Sequence, residues 1–168
     1  MRNRKVLLIV EAAMVAAIYV VLTFVSSAVG LASGTIQVRI SEALCILPVF
    51  MPAAIPGLWV GCFLANLLTG CMFLDVICGS VATLLGAVGT YLLRKHKKLC
   101  AWPPVLANML IVPWVLRYGY GFMMEYKGVD WSIPFHALTV GLGEVVSCVI
   151  FGGILLKVLS KHRNAIWQ

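Results

Sequence analysis

Residues 40–68 read ISEALCILPVFMPAAIPGLWVGCFLANLL and carry a single charged side chain. A helix that crosses the hydrocarbon core of a bilayer needs about 20 mostly apolar residues. Pro52 and Pro56 divide this stretch, because each removes a backbone donor and disfavours helical geometry in the residue before it. We therefore expect two short, tilted or shallow helices, Ile40–Met51 and Ile55–Leu68, with one broken span as the alternative.

The rest of the chain is equally apolar. Of its 168 residues, 62% are hydrophobic and only 11% are charged, and the mean hydropathy is +1.01. Such values exceed those of water-soluble domains of this size and indicate an all-α integral membrane protein. We expect one transmembrane domain, residues 1–168, with six transmembrane helices. Their predicted bounds are Val6–Val25, Ile40–Met51, Ile55–Leu68, Phe73–Leu93, Trp102–Met124 and Ile133–Leu159.

The basic residues predict the orientation. Ten of the thirteen lysines and arginines lie in MRNRK at the start, RKHKK at 94–98 and KVLSKHR at 157–163. By the positive-inside rule both termini and the middle loop are cytoplasmic, which agrees with an even number of helices. The net charge of +7 is thereby explained without nucleic acid.

The sequence lacks the motifs typical of metal binding, ATP binding and hydrolytic catalysis. The six cysteines form no CxxC and have no histidine at ligand spacing, so no metal site is expected. There is no GxxxxGK[ST] phosphate loop, HExxH or GxSxG. We therefore expect neither ATP hydrolysis nor another enzymatic activity within this chain, and no cofactor.

Glu144 is the most informative polar residue, because it falls about eleven residues inside the last predicted helix. An ionisable group at that depth costs about 2.5 to 3.5 kcal/mol and needs a partner from another helix or from a ligand. Arg117, several residues inside the fifth helix, is the obvious candidate within the chain. Two readings stay open: a structural salt bridge between Glu144 and Arg117, or a substrate cavity lined by both.

Helical spacing favours the cavity. Trp114, Arg117, Tyr118 and Gly121 follow the pattern i, i+3, i+4, i+7 and would share one helical face. Aromatic rings beside a few polar groups are typical of a pocket for a flat, partly polar molecule. An interfacial aromatic belt is the alternative for the rings.

Other polar residues are predicted at a similar depth, toward the outer side of the membrane. They are Asn66, Asp75, Arg39, Glu42 and His136. Asp75 has a second explanation, since a carboxylate at a helix N-terminus interacts favourably with the helix dipole. Arg39 and Glu42 are three residues apart, so they are expected to pair on one helical face and to anchor the preceding loop.

Small residues recur at helical spacing. Gly79, Ala82, Thr83 and Gly86 form one stripe, and Gly57 and Gly61 form a GxxxG. The first helix carries two overlapping AxxxA pairs, made by Ala12, Ala13, Ala16 and Ala17. Such stripes let helices approach closely, whether inside one chain or against a partner.

Over nearly its whole length the chain resembles the QueT type of substrate-binding subunit, or S component, of energy-coupling factor (ECF) transporters. The resemblance rests on AAMVAAIYVVLT, IQVRISEALCILPVFMPAAIPGLWVGCFLANLLTG, DVICGSVATLLGA, PVLANMLIVP and VGLGEVVSC. The most specific parts are RISEAL and the region from ANL to GS.

The resemblance implies a six-helix bundle in the bacterial cytoplasmic membrane that captures a small molecule from outside. It implies docking, through the alanines of the first helix, onto a transmembrane coupling protein (EcfT-like) and two cytoplasmic ATPases. It also implies a lid, here Ser26–Gln37. The cargo of this type is a queuosine precursor, meaning queuine or another 7-deazaguanine base.

Physical chemistry gives Glu144 a role toward such a base, because a carboxylate accepts two parallel N–H donors at once. Trp114 or Tyr118 would stack on the ring, and Asp75 or Glu42 would pair with an aminomethyl substituent. The alternatives are an S component for another flat heterocyclic vitamin, an autonomous proton-coupled carrier that titrates Glu144, and a membrane enzyme.

Overall fold

The computed structural model describes residues 4–31, 36–97 and 99–162, without the side chain of residue 126. The described chain is predominantly helical, and every predicted segment contains a helix. The α-helices are α1 (Arg4–Ala28), α2 (Ala54–Leu68), α3 (Phe73–Leu92), α4 (Trp102–Trp114), α5 (Ser132–Glu144) and α6 (Gly152–Lys161). A 3-10 helix, Ile40–Val49, lies between α1 and α2.

Two π-helical segments extend the later helices. Val115–Gly119 continues α4, and Val145–Phe151 joins α5 to α6 in one continuous helix, Ser132–Lys161. Three of the described helices are long and apolar enough to cross a membrane, namely Arg4–Ala28, Phe73–Leu92 and Ser132–Lys161. The six-span topology and the orientation of the termini therefore remain predictions.

The division of the second and third predicted helices is confirmed, since helical structure stops between Val49 and Ala54. The 3-10 helix is the buried centre of the bundle, with seven of its ten residues buried. It packs against α1, α3, α6 and the second π-helical segment. A 3-10 helix rises about 2.0 Å per residue, so ten residues span about 20 Å, a third more than in an α-helix.

The predicted end of the fifth helix is wrong. The apolar pattern predicts a helix up to Met124, but helical structure ends at Gly119, and Gly121 has a positive φ of 70°. Beyond it, β1 (Glu125–Tyr126) and β2 (Val129–Asp130) form an antiparallel hairpin, with residue 125 opposite residue 130. Lys127 and Gly128 make the turn, and both have positive φ, as a type I′ hairpin turn requires.

The GxxxG of α2 packs against α1. A Cβ at Gly57 would lie 2.6 Å from the backbone oxygen of Ala12, and one at Gly61 would lie 2.9 Å from Cβ of Tyr19. These two glycines therefore let the helix backbones approach to direct contact. The predicted small-residue stripe of α3 is likewise buried within the bundle.

The outer surface of the bundle is apolar. On α1 alone, Val6, Ile9, Met14 and Val21 are each more than half exposed. An apolar surface of this extent is suited to lipid and not to water. The bundle therefore encloses its polar side chains and presents hydrocarbon to its surroundings.

Candidate functional site: two polar chambers inside the bundle

Two cavities adjoin each other inside the bundle. The outer chamber, about 380 Å³, lies at the end of the bundle that carries the ends of α1 and α2 and the residues after α4. The inner chamber, about 30 Å³, lies between the 3-10 helix, α3, α4 and α5. They share the lining residues Gln37, Arg39, Asp75 and Val112. The outer volume is in the range of small-molecule sites, whereas the inner one holds a group of about one water's size.

Arg39 and Asp75 stand at the junction of the chambers. Arg39 Nη1 donates to Asn66 Oδ1 at 3.0 Å, and its strongest electrostatic attraction is to Asp75. Asp75 Oδ2 accepts from the hydroxyl of Tyr120 at 3.2 Å. Because Asp75 and Asn66 are both buried, the junction presents a cation, a carboxylate and an amide away from bulk water.

The expected pair between Arg39 and Glu42 does not form. Arg39 precedes the 3-10 helix in an extended conformation, with φ −104° and ψ 109°, so the i, i+3 rule for one helical face does not apply to it. Glu42 is 2% exposed and accepts hydrogen bonds from the hydroxyl of Tyr19 and, at 3.0 Å, from the thiol of Cys45. Within the described part of the chain, neither Arg39 nor Glu42 makes an ion pair.

Glu144 lines the inner chamber together with Glu42. It is 9% exposed and accepts from the thiol of Cys148 at 3.3 Å. Glu42, Glu144 and Cys148 offer ligand atoms that all lie within 4.8 Å of one another. Cys148 Sγ also lies 3.5 Å from the backbone oxygen of Glu42, so the thiol contacts both acidic residues. The inner chamber therefore holds two facing carboxyl groups.

Neither open reading of Glu144 and Arg117 holds, because Arg117 is not paired with Glu144 and does not line either chamber. Arg117 Nη2 lies 2.7 Å from Asp130 Oδ2, and Arg117 Nε donates to the same oxygen at 2.8 Å. Asp130 also accepts from the backbone N–H of Ser132 at 2.9 Å and from the Ser132 hydroxyl. The bonds from Ser132, and then Arg117, lower the pKa of Asp130 to about 2. Arg117 thus fastens the hairpin to the end of α4.

The aromatic face predicted around Arg117 does not line the chambers. Trp114 and Tyr118 are 53% and 68% exposed and stack on each other at 6.0 Å between ring centroids. Gly121 lies beyond the last helical residue. The spacing does bring the side chains together, since the Arg117 guanidinium lies 5.6 Å from the ring centroid of Tyr118, but the face that they share is exposed.

His136 also stays outside both chambers. Its Nε2 lies 3.2 Å from the backbone oxygen of Phe122, and its ring makes an edge contact with Phe135. Phe122 lines the outer chamber, and His136 contacts Phe122 without lining the chamber itself. The structure thus brings together five of the nine predicted residues and leaves out four. The five are Glu144, Asp75, Asn66, Arg39 and Glu42; the four are Arg117, Trp114, Tyr118 and His136.

Sequence reasoning missed several uncharged polar residues in the site. Asn108 and Thr83 line the inner chamber, Gln37 lines both, and Tyr19 bonds Glu42 from α1. Asn108 could have been identified from the sequence, because a polar amide in the middle of the apolar segment PVLANMLIVP is costly in a membrane, as a charge is.

The predicted lid lies only partly within the described residues. Ser26 belongs to α1, where its hydroxyl accepts from the backbone N–H of Ile40 at 2.9 Å. Gln37 contacts Gly143 with its backbone and closes one side of both chambers. Residues 32–35 lie outside the described part.

The four alanines of α1 separate into two faces. Ala12 and Ala16 pack against Gly57 and Gly61 of α2, whereas Ala13 and Ala17 are exposed. Only one AxxxA pair is therefore open to a partner.

An apolar helical bundle that encloses polar chambers indicates a membrane protein with an internal polar site, and the family match makes it a protein of the transporter class. The chain belongs to the QueT transporter family, whose model matches residues 9–161. It is similar to the queuosine precursor transporter QueT of Lactococcus lactis subsp. cremoris (strain MG1363), at 34% identity over 168 residues. That alignment covers 96% of this chain and 97% of the relative. No solved structure matches the chain.

Proposed function

We propose that the chain is the substrate-binding subunit of an ECF importer for a queuosine precursor. In this proposal it captures queuine or another 7-deazaguanine base from outside a bacterial cytoplasmic membrane, which it crosses six times with both termini in the cytoplasm. An EcfT-like coupling protein and two cytoplasmic ATPases then drive delivery to the inside. Support comes from the family, from the name of the Lactococcus relative and from the enclosed chambers.

The observation that carries the proposal is the pair of adjoining chambers with Glu144 in the inner one. A flat base needs a slot of a few hundred cubic ångströms, which the outer chamber provides. Its polar edge needs acceptors that are shielded from water, which Glu144 and Glu42 provide. Charge-assisted hydrogen bonds to a carboxylate are strong in such surroundings.

The charged groups of the chambers suit a cationic substituent as well. Three carboxyl groups, those of Glu42, Asp75 and Glu144, face one guanidinium, that of Arg39. An aminomethyl group on the base would pair with one of these carboxyl groups. Asp75 is the better placed partner, because it borders the larger chamber.

Glu144→Gln tests the role of the carboxylate in binding. Calorimetry on purified protein with 7-deazaguanine is expected to show a loss of affinity of about 100-fold, because an amide accepts one N–H donor where the carboxylate accepts two. Glu125→Gln, in the exposed strand β1, is the matched control and should bind as the wild type does. Unchanged affinity in Glu144→Gln would reject the role of this side chain.

Two alternatives remain distinct from this proposal. An S component for another flat heterocyclic vitamin would use the same chambers, and mass spectrometry of the small molecule that copurifies with the protein separates the two cargoes. An autonomous proton-coupled carrier is favoured by one observation, the closeness of Glu42 and Glu144. Uptake that needs no coupling proteins and stops when the proton gradient is removed would support that carrier.

A further inference from the structure

Two aromatic side chains line the outer chamber, those of Tyr120 and Phe122. Among the described residues that border either chamber, they are the only aromatic ones. Their rings are nearly parallel, with an interplanar angle of 9° and 5.8 Å between the ring centroids. A planar molecule in the chamber can therefore make aromatic contact at this pair.

The backbone after α4 brings the two rings to the same chamber. The N–H of Tyr120 donates to the backbone oxygen of Val115 at 3.1 Å, and the N–H of Phe122 donates to that of Leu116 at 3.1 Å. Gly121 lies between them with a φ of 70°, a conformation that glycine adopts without the steric cost of a Cβ. The chain turns at this glycine, and both rings then border the outer chamber.

Tyr120 is held in this position by two hydrogen bonds of its hydroxyl group. The hydroxyl donates to Asp75 Oδ2 at 3.2 Å and accepts from the backbone N–H of Met72 at 3.1 Å. Because its polar end is occupied, the ring face is what Tyr120 offers to a ligand. Phe122 has no polar group and is 53% exposed, although the other residues around this chamber are largely polar. The pair thus presents an apolar aromatic surface beside polar groups.

Resting on the proposed function, we propose that Phe122 and Tyr120 form the surface on which the ring of the base stacks. Phe122 makes the main contact, because its ring is the more exposed of the two. Tyr120 ties the pair to the start of α3. Aromatic rings attract each other in offset-stacked arrangements, and every base has a face that can stack in this way. Phe122 and Tyr120 thereby take the role that the sequence pattern assigned to Trp114 and Tyr118.

The position of the pair agrees with the rest of the site. Asp75 contacts Tyr120 directly and borders both chambers. A ring stacked on the pair therefore lies beside the carboxyl group that would pair with an aminomethyl substituent. Trp114 and Tyr118 have the same chemistry, with ring centroids 6.0 Å apart, but neither borders a chamber. Of these two similar aromatic pairs, one contacts the site, and the other supplies a matched control.

Calorimetry with 7-deazaguanine on the purified wild type and three variants tests the proposal. Phe122→Leu should lose roughly 10-fold in affinity, because leucine keeps an apolar contact but has no aromatic face. Phe122→Trp should bind at least as tightly as the wild type, since an indole is a larger stacking surface. Trp114→Leu is the control and should bind as the wild type does. Wild-type affinity in Phe122→Leu, or an equal loss in Trp114→Leu, would overturn the assignment.

Fluorescence gives a second readout, which a merely structural role of Phe122 would not change and which does not depend on the leucine variant. In Phe122→Trp the introduced indole stacks on the base, so saturating 7-deazaguanine should quench the emission more than it does in the wild type. A quench no larger than that of the wild type would contradict stacking. If the wild type binds no 7-deazaguanine, the proposed function fails and this inference with it. If the wild type binds 7-deazaguanine and Phe122→Leu binds it equally well, this inference alone fails.

Discussion

Charged side chains lie both in the inner chamber and at the β1–β2 hairpin, but the two regions pair these charges in opposite ways. At the hairpin, one cation and one anion, Arg117 and Asp130, satisfy each other at 2.7 Å. In the inner chamber, Glu42 and Glu144 face each other, no described base lies within ion-pair distance of either, and Arg39 is the one cation in the lining. The charges at the hairpin are therefore matched one to one within the chain, whereas the carboxyl groups of the chamber outnumber the cation beside them.

The two faces of α1 show the same contrast in apolar form. Ala12 and Ala16 are covered by α2, so their smallness is used inside the bundle. Ala13 and Ala17 are equally small but exposed, so their small size is not needed for packing within the described chain. They are the part of the stripe on which the proposed docking depends.

The largest effect is expected from tryptophan at both Ala13 and Ala17. The bulk should prevent close approach of a coupling protein and abolish uptake, while substrate binding to the purified subunit persists. Radiolabelled uptake in cells and calorimetry measure the two quantities. Leu110→Trp, on the exposed side of α4, is the control and should transport normally. Normal uptake by the double variant would show that partners use another surface.

Arg39→Met should lower stability by up to about 3 kcal/mol, because it leaves the buried carboxyl groups near it without their cation. It also removes the hydrogen bond to Asn66. Thermal unfolding in detergent measures the loss. Arg94→Met is the matched control, since Arg94 is exposed and lies over the ring of Tyr91. Equal stability of the two variants would contradict a balancing role for Arg39.

Gly57→Ala should destabilise the protein by about 1 to 3 kcal/mol. Its methyl group would meet the backbone of Ala12, which cannot move without separating α1 from α2. Gly153→Ala makes the same change in α6, where nothing lies within 4 Å of the new Cβ. It should stabilise by up to about 1 kcal/mol through helix propensity. The same thermal assay should show that the melting temperature falls in Gly57→Ala and rises in Gly153→Ala. A change in the same direction in both variants would argue against close packing at Gly57.

The smallest effect is expected at the hairpin, and it depends on pH. The folded-state pKa of Asp130 is about 2, below its ordinary value of 3.8. The ionised carboxylate therefore stabilises the folded protein fully above pH 3.8, and this stabilisation is lost as the pH falls toward 2. Arg117→Gln should therefore change the melting temperature little at pH 7 and leave base affinity unaltered. Asp130→Asn should remove this part of the acid dependence. A large loss of base affinity in Arg117→Gln would contradict this prediction and show that Arg117 takes part in binding.

Sequence reasoning located the inner site well where burial of charge was the guide. Glu144, Glu42 and Asp75 are costly in an apolar helix, and all three line the chambers. Arg117 and Tyr118 are misplaced because spacing predicts which residues share a helical face and not which way that face turns: they do meet, but outside the chambers. The partner of Arg117 lies across a hairpin, in a segment read only as a loop.

The sequence by itself determined the class of protein, the positions of the helices and the break at the prolines. These follow from local physical chemistry, namely the transfer of apolar side chains out of water and the backbone limits of proline. The tertiary structure decided which polar groups meet. Pairing depends on how helices rotate and pack against one another, as with Asn108 beside Glu144 and Ala12 under Gly57. No local pattern in a chain specifies those rotations, so the set of residues that lines the chambers is decided only when the bundle is assembled.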